Sequence, residues 1–337
     1  MSISSTGKAI AHGGRLTEAR RRFPGAPEPF IDLSTGINPI PYSLPALSRE
    51  CFTRLPEPES VDRLQCVAAA TYGVAEPAMI VAAPGTQILI DLLPRLWRLP
   101  SIAVLAPTYT EYAHAWKRAG CRVDEVTDLA AMGDADGVVV CNPNNPDGRK
   151  IARGELLALA DRLSTKPDGL LVVDEAFADL EGDGLSMAAA LPHPSLVVLR
   201  SFGKTYGLAG LRLGFALASA TRASEVRTAL GPWAVSGPAI EAGSKALADR
   251  AWLTRTRAQM AEAAAMLDQV LEGAGLRVLG GTSLFRLAVC EQAPAVFDNL
   301  GRAGIFVRRF AEHPNWLRFG LPAGAHAWQR LRAALAS

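Results

Sequence analysis

G-V-V-V-C-N-P-N-N-P-D-G (137–148) reads as a short buried strand that runs into a turn. Its apolar run is continuous and β-branched, and Asn142-Pro143 stops it. The pattern returns twice downstream, in L-L-V-V-D-E-A-F (170–177) and in L-V-V-L-R-S-F-G-K (196–204). Helical spacing of apolar residues is expected over 154–163, between the first two runs. Upstream, 80–83, 102–105 and 122–126 are further strand candidates, with helices expected over 60–72, 86–96 and 109–119; 213–216 adds a strand downstream. Strands that are apolar throughout, rather than alternating, are buried on both faces. The chain is therefore expected to be α/β, with a mainly parallel sheet covered by helices on both sides.

The flanks read differently. Residues 1–45 are rich in Gly, Pro and Arg, and Pro24, Pro27, Pro29, Pro39, Pro41 and Pro45 predict an extended arm without helix. Residues 46–222 are expected to form the large domain. Beyond 222, an Ala-rich stretch over 239–271 predicts one long helix between domains, and 277–337 predicts a small α+β domain.

At 337 residues the chain suits roughly two domains at about 150 residues each. Its 35 basic and 33 acidic side chains leave +2, which removes the electrostatic argument for nucleic-acid binding. Five scattered cysteines, none in C-x-x-C, argue against a disulfide framework or a zinc site and suit a cytoplasmic protein. No apolar run reaches the length of a membrane helix, and no secretory h-region is visible; neither a membrane nor a metal partner is expected.

The chemistry gathers at the strand ends, where open α/β sheets bind ligands. Asn145, Asp174 and Lys204 follow three successive strands at intervals of 29 and 30 positions, about one strand–helix–strand unit each. An amide, a carboxylate and an amine can thus meet in one crevice. Together they suit pyridoxal phosphate: Lys204 as the amine that joins its aldehyde, Asp174 as the partner of its ring nitrogen, Asn145 as a donor to its ring oxygen. Gly85, Thr86 and Gln87 open a helix whose free N–H groups favour a phosphate. Ser201 and Arg212 would add a hydroxyl and a cation, and Tyr109 a ring that stacks on the cofactor face.

These residues carry a resemblance. S-F-G-K-T-Y-G-L-A-G-L-R-L-G (201–214), N-P-N-N-P-D-G (142–148) and V-D-E-A-F (173–177) resemble the fold-type-I, aspartate-aminotransferase-like pyridoxal-phosphate enzymes, nearest the histidinol-phosphate aminotransferase branch. Within it, A-H-G-G (11–14), D-L-S-T-G-I-N-P (32–39) and G-P-W-A-V-S (231–236) resemble the threonine-phosphate decarboxylases of cobalamin biosynthesis. The resemblance implies a large domain with a seven-stranded, mainly parallel sheet, a small α+β domain and a homodimer. It implies that Arg318 grips a substrate α-carboxylate, that Arg308 lies near a substrate phosphate, and that His12 and Gly13 belong to an arm closing over the substrate. Gly36 and Asn145 would also face the substrate.

Several positions depart from the pattern: Phe177 stands for a Tyr, Gly203 for a Ser or Thr, Asp147 for a Thr, Ser60 for a Tyr, and Gly36 lacks a side-chain amide. The resemblance leaves two reactions open, decarboxylation of L-threonine O-3-phosphate and transamination of histidinol phosphate; the His-Gly-Gly arm favours the first. A serine acyl-enzyme reading of S-x-x-K (201–204) lacks the companion S-D-N and K-T-G motifs. A non-catalytic regulator would need an appended binding module that the chain has no room for.

Overall fold

The computed structural model describes residues 12–182 and 184–336. Among the described residues, twelve strands form two sheets: β1 (Ile31–Leu33), β2 (Ile80–Ala83), β3 (Ser101–Leu105), β4 (Arg122–Val126), β5 (Gly137–Cys141), β6 (Leu170–Asp174), β7 (Leu196–Ser201), β8 (Gly214–Ala218), β9 (Arg277–Thr282), β10 (Phe285–Val289), β11 (Ile305–Arg309) and β12 (Trp316–Gly320). The seven-stranded sheet has the order β2-β8-β7-β6-β5-β3-β4. β8 alone runs antiparallel to its neighbours β2 and β7; the other pairings are parallel.

Alternate residues of these strands feed different cores. Val138 and Val140 pack with Leu64 and Phe202 on one face, whereas Val139 and Cys141 pack with Trp116 and Leu93 on the other. That is why the strands are apolar throughout. The helix Pro58–Tyr72 illustrates the covering layer. Pro58 opens it, Leu64, Ala68 and Tyr72 turn inward, and Gly73 closes it in the left-handed conformation (φ 72°).

The five-stranded sheet, β1-β11-β12-β10-β9, has its own core around Phe285, Leu317 and Phe319. Two expectations are corrected here. The proline-rich N-terminal segment is not simply an extended arm. Leu16–Arg22 is a helix that ends before the first proline, with Ala19 fully buried and Phe23 tilted against Phe297 at 5.7 Å. Ile31–Leu33 then pairs in parallel with β11. The Ala-rich stretch is likewise two helices, Gly237–Ala248 and Arg250–Gly273. Asp249 separates them, its carboxylate accepting the Trp252 N–H at 2.9 Å as the second helix's N-cap.

Two contacts bind the sheets into one site. A Cβ on Gly148, in the turn after β5, would stand 1.9 Å from the Gly281 carbonyl oxygen of β9. Phe202, Tyr206 and Trp252 stack at 4.4 and 5.2 Å, joining the Lys204 turn to the helix Arg250–Gly273.

Candidate active site

β5, β6 and β7 lie side by side and parallel, so their carboxyl ends open on one crevice. Asp174 ends β6 buried. Its Oδ2 accepts the Tyr112 hydroxyl at 2.8 Å and its Oδ1 the Ala176 N–H at 2.9 Å. Burial raises its pKa, partly opposed by those donors and by the positive field of Lys204. A buried carboxylate held in this way favours a cationic partner at its open side.

Lys204 rises from the four-residue helix Phe202–Thr205, and its Nζ stands 5.6 Å from the Phe177 ring centroid. Its side chain is partly buried. Desolvation by the surrounding protein, then the charge of Arg318, pushes its amine down to about 8. At pH 7 about a tenth is then neutral, against well under a thousandth for an ordinary lysine. The backbone of this turn is held from the N-terminal segment: the Asn38 N–H donates to the Lys204 carbonyl at 3.0 Å and its Nδ2 to the Thr205 carbonyl at 2.8 Å.

The two adjacent asparagines have different work. Asn144 is structural; its Nδ2 donates to the Pro107 carbonyl and to Asp147 Oδ1 at 2.8 and 2.7 Å. Asn145 faces the crevice, and its Oδ1 accepts from Arg318 Nη1. Asp147, at the Thr position of the motif, also accepts the Arg149 N–H at 3.0 Å and so closes the turn locally.

Arg318 comes from β12 and is buried. Its Nη2 donates to the Ser34 carbonyl at 2.9 Å, and the guanidinium lies 5.0 Å from the Phe285 ring centroid. Its Nε is buried with no hydrogen-bond partner among the described residues. Burial, then the charge of Arg308, pushes it down to about 9. Arg308 is its direct cross-strand partner, so the two arginines sit side by side on one sheet face. Burial also lowers the Arg308 pKa, and Tyr109 and Arg15 are near enough to act on it.

His12 Nε2 and Glu111 Oε1 are 3.1 Å apart, and the His12 ring centroid lies 6.1 Å from that of Tyr109. The Tyr109 hydroxyl donates to Gln87 Oε1 at 3.0 Å, and burial pushes its pKa up to about 12. Ala11, the first residue of the A-H-G-G motif, lies outside the described residues.

At the start of the helix Thr86–Leu96, Gly85 is left-handed (φ 86°), and a Cβ there would meet Arg212 Nη2 at 2.5 Å. A Cβ on Gly214 would meet the Thr86 nitrogen at 2.7 Å. Free N–H groups, a guanidinium and space kept clear of side chains make a cradle for a phosphate. Ser201 ends β7 beside it. With Asp174 and Lys204, this donor set fits pyridoxal phosphate.

Two departures have packing causes. A Cβ on Gly36 would come within 2.9 Å of both Phe177 and Phe285, and one on Gly203 within 2.7 Å of Ala209 Cα. Gly36 is therefore a floor beneath two rings, and Gly203 permits a close backbone approach.

A buried ionic cluster behind the site escaped the sequence reading. Arg200 pairs with Glu175 at 3.1 Å and Asp179 at 2.6 Å, and the Thr205 hydroxyl donates to Asp179 at 3.1 Å. It ties the residues next to Asp174, Ser201 and Lys204 together.

Comparison with known proteins identifies the family. Residues 37–334 match aminotransferase class I and II. The chain belongs to that family. Among curated proteins, a threonine-phosphate decarboxylase of Sinorhizobium sp. is 46% identical over 332 residues, covering 97% of this chain and 98% of the relative. One from Pseudomonas aeruginosa is 44% identical, covering 97% of each. Among solved structures, a histidinol-phosphate aminotransferase from Sinorhizobium meliloti in complex with pyridoxal-5'-phosphate has a TM-score of 0.80 at 24% identity, covering 99% of this chain and 98% of its own. That likeness bears on the fold, which agrees with the expected seven-stranded sheet and smaller second sheet.

Proposed function

We propose that this chain is a pyridoxal-phosphate-dependent decarboxylase of L-threonine O-3-phosphate, yielding carbon dioxide and (R)-1-amino-2-propanol O-2-phosphate for cobalamin nucleotide-loop assembly. The observation that carries the reading is the cross-strand pair Arg308 and Arg318. Two neighbouring guanidiniums suit a small substrate with two anions on adjacent carbons, a carboxylate and a phosphate ester. Histidinol phosphate has a phosphate but no carboxylate. Both high-identity relatives bear the decarboxylase name.

Lys204 would hold the cofactor, Asp174 the proton on its ring nitrogen, and Gly85, Thr86, Ser201 and Arg212 its phosphate. When bound, the cofactor draws electrons from a bond at the substrate Cα. The protein selects the bond. Arg318, fixed by Asn145, Ser34 and Phe285, would receive the carboxylate on its guanidinium. Arg308, with His12 and Gly13, receives the phosphate. Two anchors leave little rotation about Cα, so they would fix which Cα bond is presented to the cofactor. Lys204, once freed by the incoming substrate amine, would be the acid that supplies Cα with the proton replacing the departed carbon dioxide.

A cytoplasmic homodimer completes the proposal. Phe52 and Trp233 are 65% and 59% exposed, and Leu55 and Ile40 add apolar surface that a second copy would cover. Product analysis after incubation with phosphothreonine tests the function. Carbon dioxide and aminopropanol phosphate support it; a keto acid formed only with an amino acceptor assigns the chain to transamination.

A further inference from the structure

D-L-S-T-G-I-N-P (32–39) supplies more than a connection into the Lys204 turn. We infer that Ser34, oriented by Asp32, is a positioning residue that seats the His12–Gly13 arm on the same backbone that fixes Arg318. The inference rests on the substrate reading above for its kinetic consequence, not for its geometry.

Ser34 is 1% exposed. Its N–H and its hydroxyl both donate to Asp32 Oδ1, at 2.8 and 2.5 Å. The hydroxyl has one proton, and Asp32 takes it. Its oxygen is thereby turned to accept, and it accepts the Gly14 N–H at 2.8 Å. The Ser34 carbonyl takes Arg318 Nη2 at 2.9 Å. One residue thus receives the arm on its side chain and the carboxylate-binding guanidinium on its backbone.

The arm also lies flat against that carbonyl. A Cβ on Gly13 would stand 2.3 Å from the Ser34 oxygen, so only glycine permits the contact. The left-handed Gly14 (φ 82°) then turns its N–H toward the serine. His-Gly-Gly and Asp-x-Ser are therefore two halves of one seat, although 20 positions separate Gly14 from Ser34. Because Asp32 also acts electrostatically on Lys204 and Arg318, the carboxylate orienting the serine faces the reaction site as well.

The seat acts on the phosphate end of the substrate, since His12 and Gly13 belong to the arm, while Ser34→Ala keeps the carbonyl that fixes Arg318. In the holoenzyme, Ser34→Ala should speed amide hydrogen exchange in the peptide 12–18. It should also raise KM for phosphothreonine about fivefold, the loss of roughly one buried hydrogen bond, with kcat and the handling of plain threonine nearly unchanged. Gly13→Ala lifts the arm off the Ser34 carbonyl and should also speed exchange over 12–18; because that carbonyl fixes Arg318, its kinetic loss should extend to threonine. Unchanged exchange over 12–18 in both variants, or equal losses for threonine and phosphothreonine in Ser34→Ala, would overturn the inference. If the unaltered enzyme fails to decarboxylate phosphothreonine, the functional reading falls, and the exchange measurement still decides the seat.

Discussion

Replacing Asp174 with Asn isolates the charge of the carboxylate from its shape. The amide can keep both contacts: its oxygen still accepts the Ala176 N–H, and its NH2 can donate to the Tyr112 oxygen after that hydroxyl rotates. The buried volume is unchanged, so folding should be little affected. On the proposed reading, what disappears is a negative charge that would face the cofactor's ring nitrogen. At hydrogen-bond distance and an effective dielectric of about 20, that attraction is worth about 5 kcal/mol. Burial has already raised the Asp174 pKa, so the cationic partner offsets a real desolvation cost. If roughly 3 kcal/mol of the attraction acts in the transition state, carbon dioxide release should slow by about 100-fold. The assay is kcat at saturating phosphothreonine, with cofactor content measured by absorbance. A variant that retains cofactor and turns over within threefold of the unaltered enzyme would refute the reasoning.

Borohydride should fix the cofactor to one peptide containing Lys204, and Lys204→Ala should abolish turnover; label on another lysine would move the assignment. Because the Lys204 amine lies near 8, the rate at which apoprotein captures pyridoxal phosphate should climb with pH and level off above about 8; a climb continuing toward 10.5 would show an ordinary lysine. Arg308→Ala should lower kcat/KM for phosphothreonine far more than for threonine, whereas equal losses would mean that Arg308 does not read the phosphate. Arg200→Met should cost about 3–5 kcal/mol in denaturant unfolding, since Glu175 and Asp179 would lose their buried counter-ion; a loss below 1 kcal/mol would show the cluster to be dispensable.

What was legible in the sequence was whatever local pattern controls. Strands buried on both faces announce themselves as unbroken apolar runs, and the spacing of Asn145, Asp174 and Lys204 follows from one crossover per interval. The rest depends on partners far apart in the chain. Nothing in 1–45 reveals that Ile31 will pair with Ile305, so prolines suggested an arm where a helix and a strand contribute to the second core. Asp249 looked like one polar residue in an Ala-rich helix, yet its side chain captures the Trp252 N–H and starts a new one. Asn144 and Asn145 are indistinguishable as letters; only the folded turn sends one to Asp147 and the other to Arg318. Asp32-x-Ser34 was visible as a motif, but its job requires a guanidinium 284 positions away.

The contact between Gly148 and Gly281 bears on how this protein could be altered in the laboratory. It is a place where two main chains touch without side chains between them. A Cβ on Gly148 would push the turn bearing Asn145 away from the sheet bearing Arg318, and those two residues must meet. A mutational scan scored on activity would therefore rank Gly148 beside Lys204, although it neither holds a proton nor touches a substrate. Library design for a changed substrate should leave this position alone and spend its diversity around Arg308.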